Sequence, residues 1–326
     1  MTVIEISSFG SPSVLKPAER PIPQPAENEV VIRVEAAGVA RADLHQRQGN
    51  YPPPPGASEI PGLDAAGIVH AVGSAVTRWQ AGDRICAILA GGGYAEFCTV
   101  PARQVLPIPD GWTAAEAATL PENLFTVYDN LITRGSLKRG ETVLIHGGAS
   151  GVGSIAIMLS RLWGAIPIVT AGTAEKCAAC LELGAEHAIN YKQLDFVAEI
   201  QRLTNGSGVE VILDMVGGSY LQRNVNALAL EGRISIIAIQ GGREGTLDIG
   251  KLMGKRGRIG GSTLRARTPE QKGVIADLLL RDVWPHLPAK SPIRPLIDST
   301  FPLRDARLAH ERLESGEHIG KVVLVA

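Results

Sequence analysis

The chain has 326 residues, 45% of them hydrophobic, which exceeds the size of one typical domain and predicts two. Its 32 Lys and Arg balance 33 Asp and Glu, so no long-range field favours nucleic acid or an anionic membrane. No apolar run approaches the roughly 18 residues of a bilayer span, the first residues lack a signal-peptide pattern, and four cysteines are no disulfide framework. We therefore expect a cytoplasmic protein.

The first 120 residues predict a small, mostly β domain. Short β-like runs such as 30–36 and 67–72 lie between Gly and Pro turn signals. Pro52 to Pro55 cannot be helix or central strand, so this segment is expected to be an extended surface loop.

Strands and helices alternate after residue 120, which indicates a parallel sheet covered on both faces. The last sixty residues no longer show this regular alternation of strands and helices, and they are expected to rejoin the first domain. The predicted fold class is therefore α/β, with a β-rich domain (1–121 with 264–326) and an inserted, doubly wound nucleotide-binding domain (122–263). Predicted strands are 142–146, 166–170, 187–190, 209–213, 233–239, 257–261 and 321–325, and predicted helices are 151–163, 174–183, 194–203, 219–229 and 246–254.

A glycine-rich turn follows the strand 142–146 directly and opens a helix. Gly148, Gly151 and Gly153 permit a tight turn and close approach to a pyrophosphate, which the helix N-terminus at Val152 favours. Ser150 stands where the dinucleotide fingerprint has its middle glycine. Its hydroxyl could reach a phosphate or ribose, or merely tolerate the turn. An ordinary glycine turn is the alternative interpretation.

The stretch after the second strand of this domain predicts a preference for NADPH. An NAD site usually places Asp or Glu there to hold the 2′-hydroxyl, whereas this strand ends at Gly172. Thr173 can hydrogen-bond a 2′-phosphate, Lys176 can supply charge, and Tyr191 can add a hydroxyl. Lys176 could instead be a solvated first-turn lysine, and Glu175 is expected to point outward.

Cysteine and histidine show no metal-binding pattern. Cys177 and Cys180 lie in a predicted helix with no second pair, and are interpreted as small packing residues. His146, before the glycine turn, is expected to be structural.

Several longer runs resemble the medium-chain dehydrogenase/reductase superfamily across essentially the whole chain, and most closely its zinc-free quinone oxidoreductases, the zeta-crystallin relatives of the type that uses NADPH. The superfamily resemblance implies a GroES-like catalytic domain beside a Rossmann domain. The runs that carry it are 35–39, 61–67 and 81–84 for the superfamily, and 41–51, 53–58, 214–220 and 318–324 for the zinc-free members.

The zinc ligands of related alcohol dehydrogenases are replaced in this chain. By resemblance those positions fall at Ala40, Leu63, Asp64 and near Glu122, and the four-cysteine structural lobe is missing. Tetrahedral zinc needs three protein ligands for catalysis or four for structure. Oxidation of an alcohol needs a Lewis acid such as zinc to stabilise the alkoxide. Without zinc, hydride transfer to an electron-poor quinone is the easier reaction.

The resemblance also implies acceptor-site residues. Tyr51 would offer a ring face and a hydroxyl, although it could simply anchor its loop. Asn123 and Thr126 are expected to orient groups near the nicotinamide, and Asp43 has a buried hydrogen-bonding role or a catalytic one. Ile239, Gly241 and Thr263 are expected to border the nicotinamide, while Lys321 reaches the cofactor phosphates or caps a strand.

Two alternatives remain at this stage. An enone or 2-alkenal reductase would use the same scaffold and hydride. A cofactor-binding structural or RNA-associating protein is the other, and its strongest signal is a locally basic stretch with Lys251, Lys255, Arg256, Arg258, Arg265 and Arg267. The strand near 257–261 is expected to form a sheet edge at which two chains pair as a homodimer.

Overall fold

A computed structural model describes residues 1–287, 291 and 293–326. The chain forms two compact units, Met1–Phe125 with Leu264–Ala326 as unit 1 and Thr126–Thr263 as unit 2. The sequence placed the first division after residue 121 and the second after residue 263; the extents of the functional domains stay a prediction.

Strands and helices are numbered in chain order. The strands are β1 (Thr2–Ile6), β2 (Leu15–Glu19), β3 (Glu29–Val39), β4 (Asp64–Val72), β5 (Arg84–Ile88), β6 (Phe97–Pro101), β7 (Val105–Pro107), β8 (Thr142–His146), β9 (Ile166–Ala171), β10 (His187–Asn190), β11 (Val209–Asp214), β12 (Leu228–Ile236), β13 (Arg258–Gly261), β14 (Ile297–Pro302) and β15 (Lys321–Val325). The α-helices are α1 (Arg41–Arg47), α2 (Ala114–Ala117), α3 (Pro121–Val127), α4 (Gly151–Leu162), α5 (Ala174–Glu182), α6 (Phe196–Leu203), α7 (Leu221–Ala227), α8 (Ile249–Gly254), α9 (Pro269–Asp282) and α10 (Ala306–Glu314).

Unit 1 is built on a seven-stranded sheet in the order β14-β15-β3-β4-β5-β7, with β6 also paired to β3. All of its pairs are antiparallel except β14 with β15. The C-terminal strand β15 therefore joins the N-terminal strands in one sheet, as expected for a tail that rejoins the first domain. Alternating residues of β3, including Val30, Ile32 and Val34, enter its hydrophobic core.

Unit 2 is a six-stranded, wholly parallel sheet in the order β10-β9-β8-β11-β12-β13. Its central strands are buried because they are near-continuously apolar, which a sheet covered on both faces requires. The predicted α/β fold with a GroES-like and a Rossmann part is confirmed. None of the described helices combines the length and apolar character needed to cross a bilayer.

One predicted strand was wrong in its limits. β12 begins at Leu228 and ends at Ile236, whereas the sequence predicted 233–239. Glu231 adopts a φ of 62°, and the register with β11 shifts along this pair. This irregularity lets Leu228 and Ala229 enter the sheet before the polar Glu231, so the hydrophobic pattern is interrupted within one strand.

Candidate functional site

The glycine turn joins β8 to α4 at the carboxyl edge of the parallel sheet. Ser150 is the N-cap, and its Oγ accepts a hydrogen bond from the Gly153 amide at 3.0 Å. A Cβ at Gly153 would lie 2.2 Å from the Gly147 carbonyl oxygen, and one at Gly148 would lie 2.6 Å from Cβ of Val169. Side chains at these positions would therefore force the loop open.

The first amides of α4 are open to a ligand. Within the described chain no acceptor bonds the amides of Gly151 and Val152. Two aligned N–H donors at the positive end of a helix dipole form a site for an anion such as a pyrophosphate. Because the Ser150 oxygen already accepts from Gly153, its main role in this structure is to cap the helix.

A series of buried, hydrogen-bonded polar side chains begins at His146, the residue before the glycine turn. His146 Nδ1 lies 3.0 Å from Thr170 Oγ1, and His146 Nε2 lies 2.8 Å from Asn224 Oδ1. Asn224 Nδ2 donates to Asp214 Oδ2 at 3.0 Å, and Asp214 Oδ1 accepts from the amides of Val216 and Gly217. Burial lowers the pKa of His146 to about 4, so the ring is neutral near pH 7. His146 therefore has the structural role expected of it.

The ends of β9 and β10 come together around Gly172. A Cβ at Gly172 would lie 3.0 Å from the Tyr191 hydroxyl and 3.5 Å from Cε of Lys192. Thr173 is the N-cap of α5, with its Oγ1 accepting from the Lys176 amide at 3.2 Å. The predicted cofactor residues of this edge are thus neighbours, and the structure adds Lys192, an exposed cation that the sequence reasoning missed.

Ile239 and Gly241 follow β12, and Thr263 follows β13, so all three lie past the carboxyl ends of their strands. The Gly241 amide donates to the Val216 carbonyl at 2.7 Å, which packs the loop after β12 against the loop after β11. Ile239 is 49% exposed. Their placement at this edge matches a cofactor-binding region, while their contacts with nicotinamide stay a prediction.

In unit 1, Tyr51 is held by Arg265. The Arg265 guanidinium lies 5.2 Å from the centre of the Tyr51 ring and donates to the Tyr51 carbonyl at 3.0 Å. Burial raises the pKa of the Tyr51 hydroxyl, so it remains protonated at neutral pH. The loop is therefore anchored, and the half-buried hydroxyl can donate a hydrogen bond. Sequence reasoning had assigned Arg265 to a basic surface, but it is 4% exposed.

Asp43 is fully buried and saturated with donors. Its oxygens accept from the amides of Ala40 and Gly62 and from the Tyr94 hydroxyl at 3.2 Å. The Tyr94 oxygen lies 3.0 Å from Nε2 of His310. Burial raises the pKa of Asp43 to about 6, with the two amides opposing that shift. This surrounding supports the buried hydrogen-bonding role for Asp43, which fixes the start of α1, rather than contact with a substrate.

Asn123 and Thr126 lie on α3. Asn123 is 2% exposed; its Nδ2 donates to the Thr119 carbonyl at 2.8 Å, and its Oδ1 has no partner within the described residues. Thr126 is half-buried, and its carbonyl accepts from Nδ2 of Asn130. A buried amide oxygen without a partner is the kind of group that a ligand satisfies.

Lys321 forms ion pairs with two carboxylates. Its ammonium lies 2.9 Å from Oδ2 of Asp64 and 3.1 Å from Oε2 of Glu122, and Asp64 is fully buried. Burial lowers the Lys321 pKa, but the two carboxylates outweigh this and raise it above its usual value. Lys321 thus belongs to a buried ion-pair cluster that the sequence did not predict, and its contact with the cofactor phosphates stays a prediction. The cluster joins two of the positions matched to zinc ligands, and no cluster of metal-ligating side chains was found among the described residues.

Comparison with known proteins gives matches over the whole chain. Residues 151–279 match the family model described as zinc-binding dehydrogenase, and residues 26–110 match the alcohol dehydrogenase GroES-like domain. A quinone oxidoreductase of Rattus norvegicus is 31% identical, with 100% of this chain and 98% of the relative covered. Two solved structures, each 32% identical and covered completely on both sides, are the Escherichia coli quinone oxidoreductase complexed with NADPH (TM-score 0.86) and a mycobacterial protein complexed with NADPH (TM-score 0.88).

Proposed function

The chain belongs to the quinone oxidoreductase family of the medium-chain dehydrogenases/reductases, and from this we propose that it reduces quinones with NADPH without a metal ion. The proposal depends on two features taken together. Unit 2 has an edge suited to a dinucleotide, and in unit 1 the zinc ligands of related dehydrogenases are replaced. The Lys321 ammonium lies between Asp64 and Glu122. By resemblance, Asp64 is at a position where the zinc relatives have a metal-binding residue, and Glu122 is near another.

The cofactor-binding edge fits NADPH. The open amides of Gly151 and Val152 would bind the pyrophosphate, and glycine at 148 and 153 allows the close packing of the loop that places those amides. Lys192 and the Tyr191 hydroxyl lie beside Gly172, where an NAD-specific enzyme would place a carboxylate. We assign these two residues, with Thr173 and Lys176, to the 2′-phosphate.

NADPH supplies a hydride when bound, and the residues of unit 1 orient the acceptor. We propose that the Tyr51 hydroxyl donates a hydrogen bond to an acceptor carbonyl while Arg265 holds the tyrosine ring in place. The partnerless Oδ1 of Asn123 accepts a hydrogen bond from the ligand on its side of α3. Such positioning is sufficient for an electron-poor acceptor, because the charge that forms on a quinone is delocalised.

The edge strand of the sheet in unit 2 is the surface at which we expect self-association. Among the strands that the structure describes, β13 pairs with β12 alone and therefore ends the sheet. An unpaired strand edge is a template for a second strand, so we propose a homodimer formed there.

The basic stretch does not form one free cationic surface: Arg256 pairs with Glu231 at 3.1 Å, Lys251 bonds Asn226, and Arg265 is buried.

Steady-state oxidation of NADPH by purified protein tests the function. Ortho-quinones, para-quinones and 2-alkenals are compared side by side, and each is repeated with NADH. We expect quinone turnover with a higher kcat/KM for NADPH than for NADH, unchanged after dialysis against a chelator. Activity confined to alkenals would move the chain to the enone reductases. Equal use of NADH would refute the assignment of Lys192 and Tyr191. Stoichiometry separates hydride transfer, one quinone per NADPH, from single-electron transfer, two per NADPH.

A further inference from the structure

A cavity lies wholly inside unit 1, away from the residues assigned above to the glycine edge. Its volume is about 290 Å³, at the small end of the range for small-molecule sites. The loop 54–58, residues 89–91, the end of β6 and the segment leading into α9 form its walls. The charged and polar side chains that line it include Lys272, Arg265, Arg267, Glu29 and Gln104.

Lys272 is the more deeply buried of the two buried cations that line this cavity, the other being Arg265. Lys272 is 2% exposed, and its Nζ donates to the Arg265 carbonyl at 3.0 Å. Across the described residues no carboxylate lies within ion-pair distance of that ammonium, and no second acceptor bonds it. Burial, together with the positive charges of Arg265 and Arg267, lowers the Lys272 pKa to about 8. A lysine has three donors, so this one keeps unused hydrogen-bonding capacity.

The neighbouring charges do not neutralise it. The Arg265 guanidinium donates only to uncharged oxygens, those of Ala90, Tyr51 and Gln46. Glu29 is the one acidic side chain among the described lining residues, and its Oε2 accepts from the Ala26 amide at 3.1 Å. Among the described residues, therefore, no carboxylate contacts either of the two buried cations of this wall, Lys272 and Arg265.

We propose that this cavity binds a small oxyanion, a carboxylate or phosphate group, with the Lys272 ammonium as its principal partner. A buried charge is costly unless a counter-charge or hydrogen bonds compensate it, and an oxyanion supplies both. An uncharged apolar ligand would desolvate the Lys272 ammonium without supplying a counter-charge or a hydrogen bond. The volume suits a small organic acid or inorganic phosphate rather than a nucleotide.

The test is a titration of the intact protein, without NADPH or quinone, using inorganic phosphate and acetate against chloride at equal ionic strength. Lysine side-chain NMR follows the Lys272 pKa, and calorimetry follows binding. We expect saturable binding by phosphate, acetate or both. It should raise the Lys272 pKa by about one unit, which is a tenfold preference of the ligand for the charged form. Affinity should fall as pH rises above 8, because Lys272 then loses its proton.

Two variants complete the test. Lys272→Met keeps the length of the side chain and removes its charge, so saturable binding should disappear. Lys16→Met is the matched control, since Lys16 is exposed and its variant should bind as the parent does. Equal binding by Lys272→Met, or no saturable change in the parent beyond that of chloride, overturns the proposal. Should Lys272→Met not fold, the titration of Lys272 in the parent decides. Phosphate saturating where acetate does not identifies a phosphate group, and the reverse a carboxylate.

Discussion

Replacing Lys321 by methionine should destabilise the protein strongly. The ammonium contacts Asp64 at 2.9 Å and Glu122 at 3.1 Å, and the Lys321 side chain is only 5% exposed. Removing one partner of a buried pair typically costs about 3–5 kcal/mol, because the other charge stays buried and unpaired. Glu122 is 21% exposed and can be hydrated, so most of this loss should come from Asp64, which is 0% exposed. That is a large part of the roughly 5–15 kcal/mol that stabilises a typical protein.

The loss should depend on pH in a defined direction. Burial already raises the pKa of Asp64 to about 7 with Lys321 present, and removing the ammonium raises it further. A carboxyl whose folded pKa lies above its unfolded value, about 3.9, favours folding while protonated. This contribution is lost as pH rises toward the folded pKa. The deficit of Lys321→Met should therefore be larger at pH 8 than at pH 6.

Urea unfolding of the parent, Lys321→Met and Lys321→Met/Asp64→Asn at both pH values measures this effect. The double variant removes the unpaired charge and should recover much of the loss, which a double-mutant cycle reports as coupling. Lys16→Met serves as the surface control. A deficit below about 1 kcal/mol, the size of an exposed ion pair, or the same deficit at pH 6 and 8, would refute the account.

Four further variants test the proposed sites. Lys176→Met and Lys192→Met should each raise KM for NADPH about tenfold, the effect of one charge-assisted hydrogen bond, without changing KM for NADH; parallel changes for both cofactors contradict the assignment. Asn224→Leu leaves His146 Nε2 and Asp214 Oδ2 without their Asn224 partner and should cost about 1–3 kcal/mol in thermal unfolding, so an unchanged melting temperature argues against a stabilising role for these hydrogen bonds. Tyr51→Phe should raise KM for the quinone only, and a shift confined to NADPH would exclude an acceptor contact.

The sequence predicted unit 2 well because local signals agree there with the final packing. β8 and β10 have the predicted limits, and α4 and α5 begin at the predicted residues, where Ser150 and Thr173 cap them. Buried parallel strands are continuous apolar runs, and caps mark where helices begin. β12 departs from this rule because its irregularity places a polar residue inside the strand.

Side-chain roles in unit 1 were less predictable, since they depend on partners distant in the chain. Lys321 contacts residues about 200 and 257 positions earlier, Glu122 and Asp64, and no local pattern announces that. Arg265 and Lys272 stand in a polar, basic stretch that is typical of surfaces, yet both are buried. Lys192 was within reach of the sequence, because it directly follows Tyr191 at the end of β10.

The cation between Asp64 and Glu122 is a covalent part of the polypeptide. It arrives with translation and takes its place when β15 pairs with β3, so this centre needs no metal delivery during maturation. Transition metals compete for sites built from thiolate and imidazole. The cluster of Lys321, Asp64 and Glu122 contains neither kind of ligand. The lysine cannot dissociate from the protein, and the neighbouring carboxylates raise its pKa, which favours the charged form.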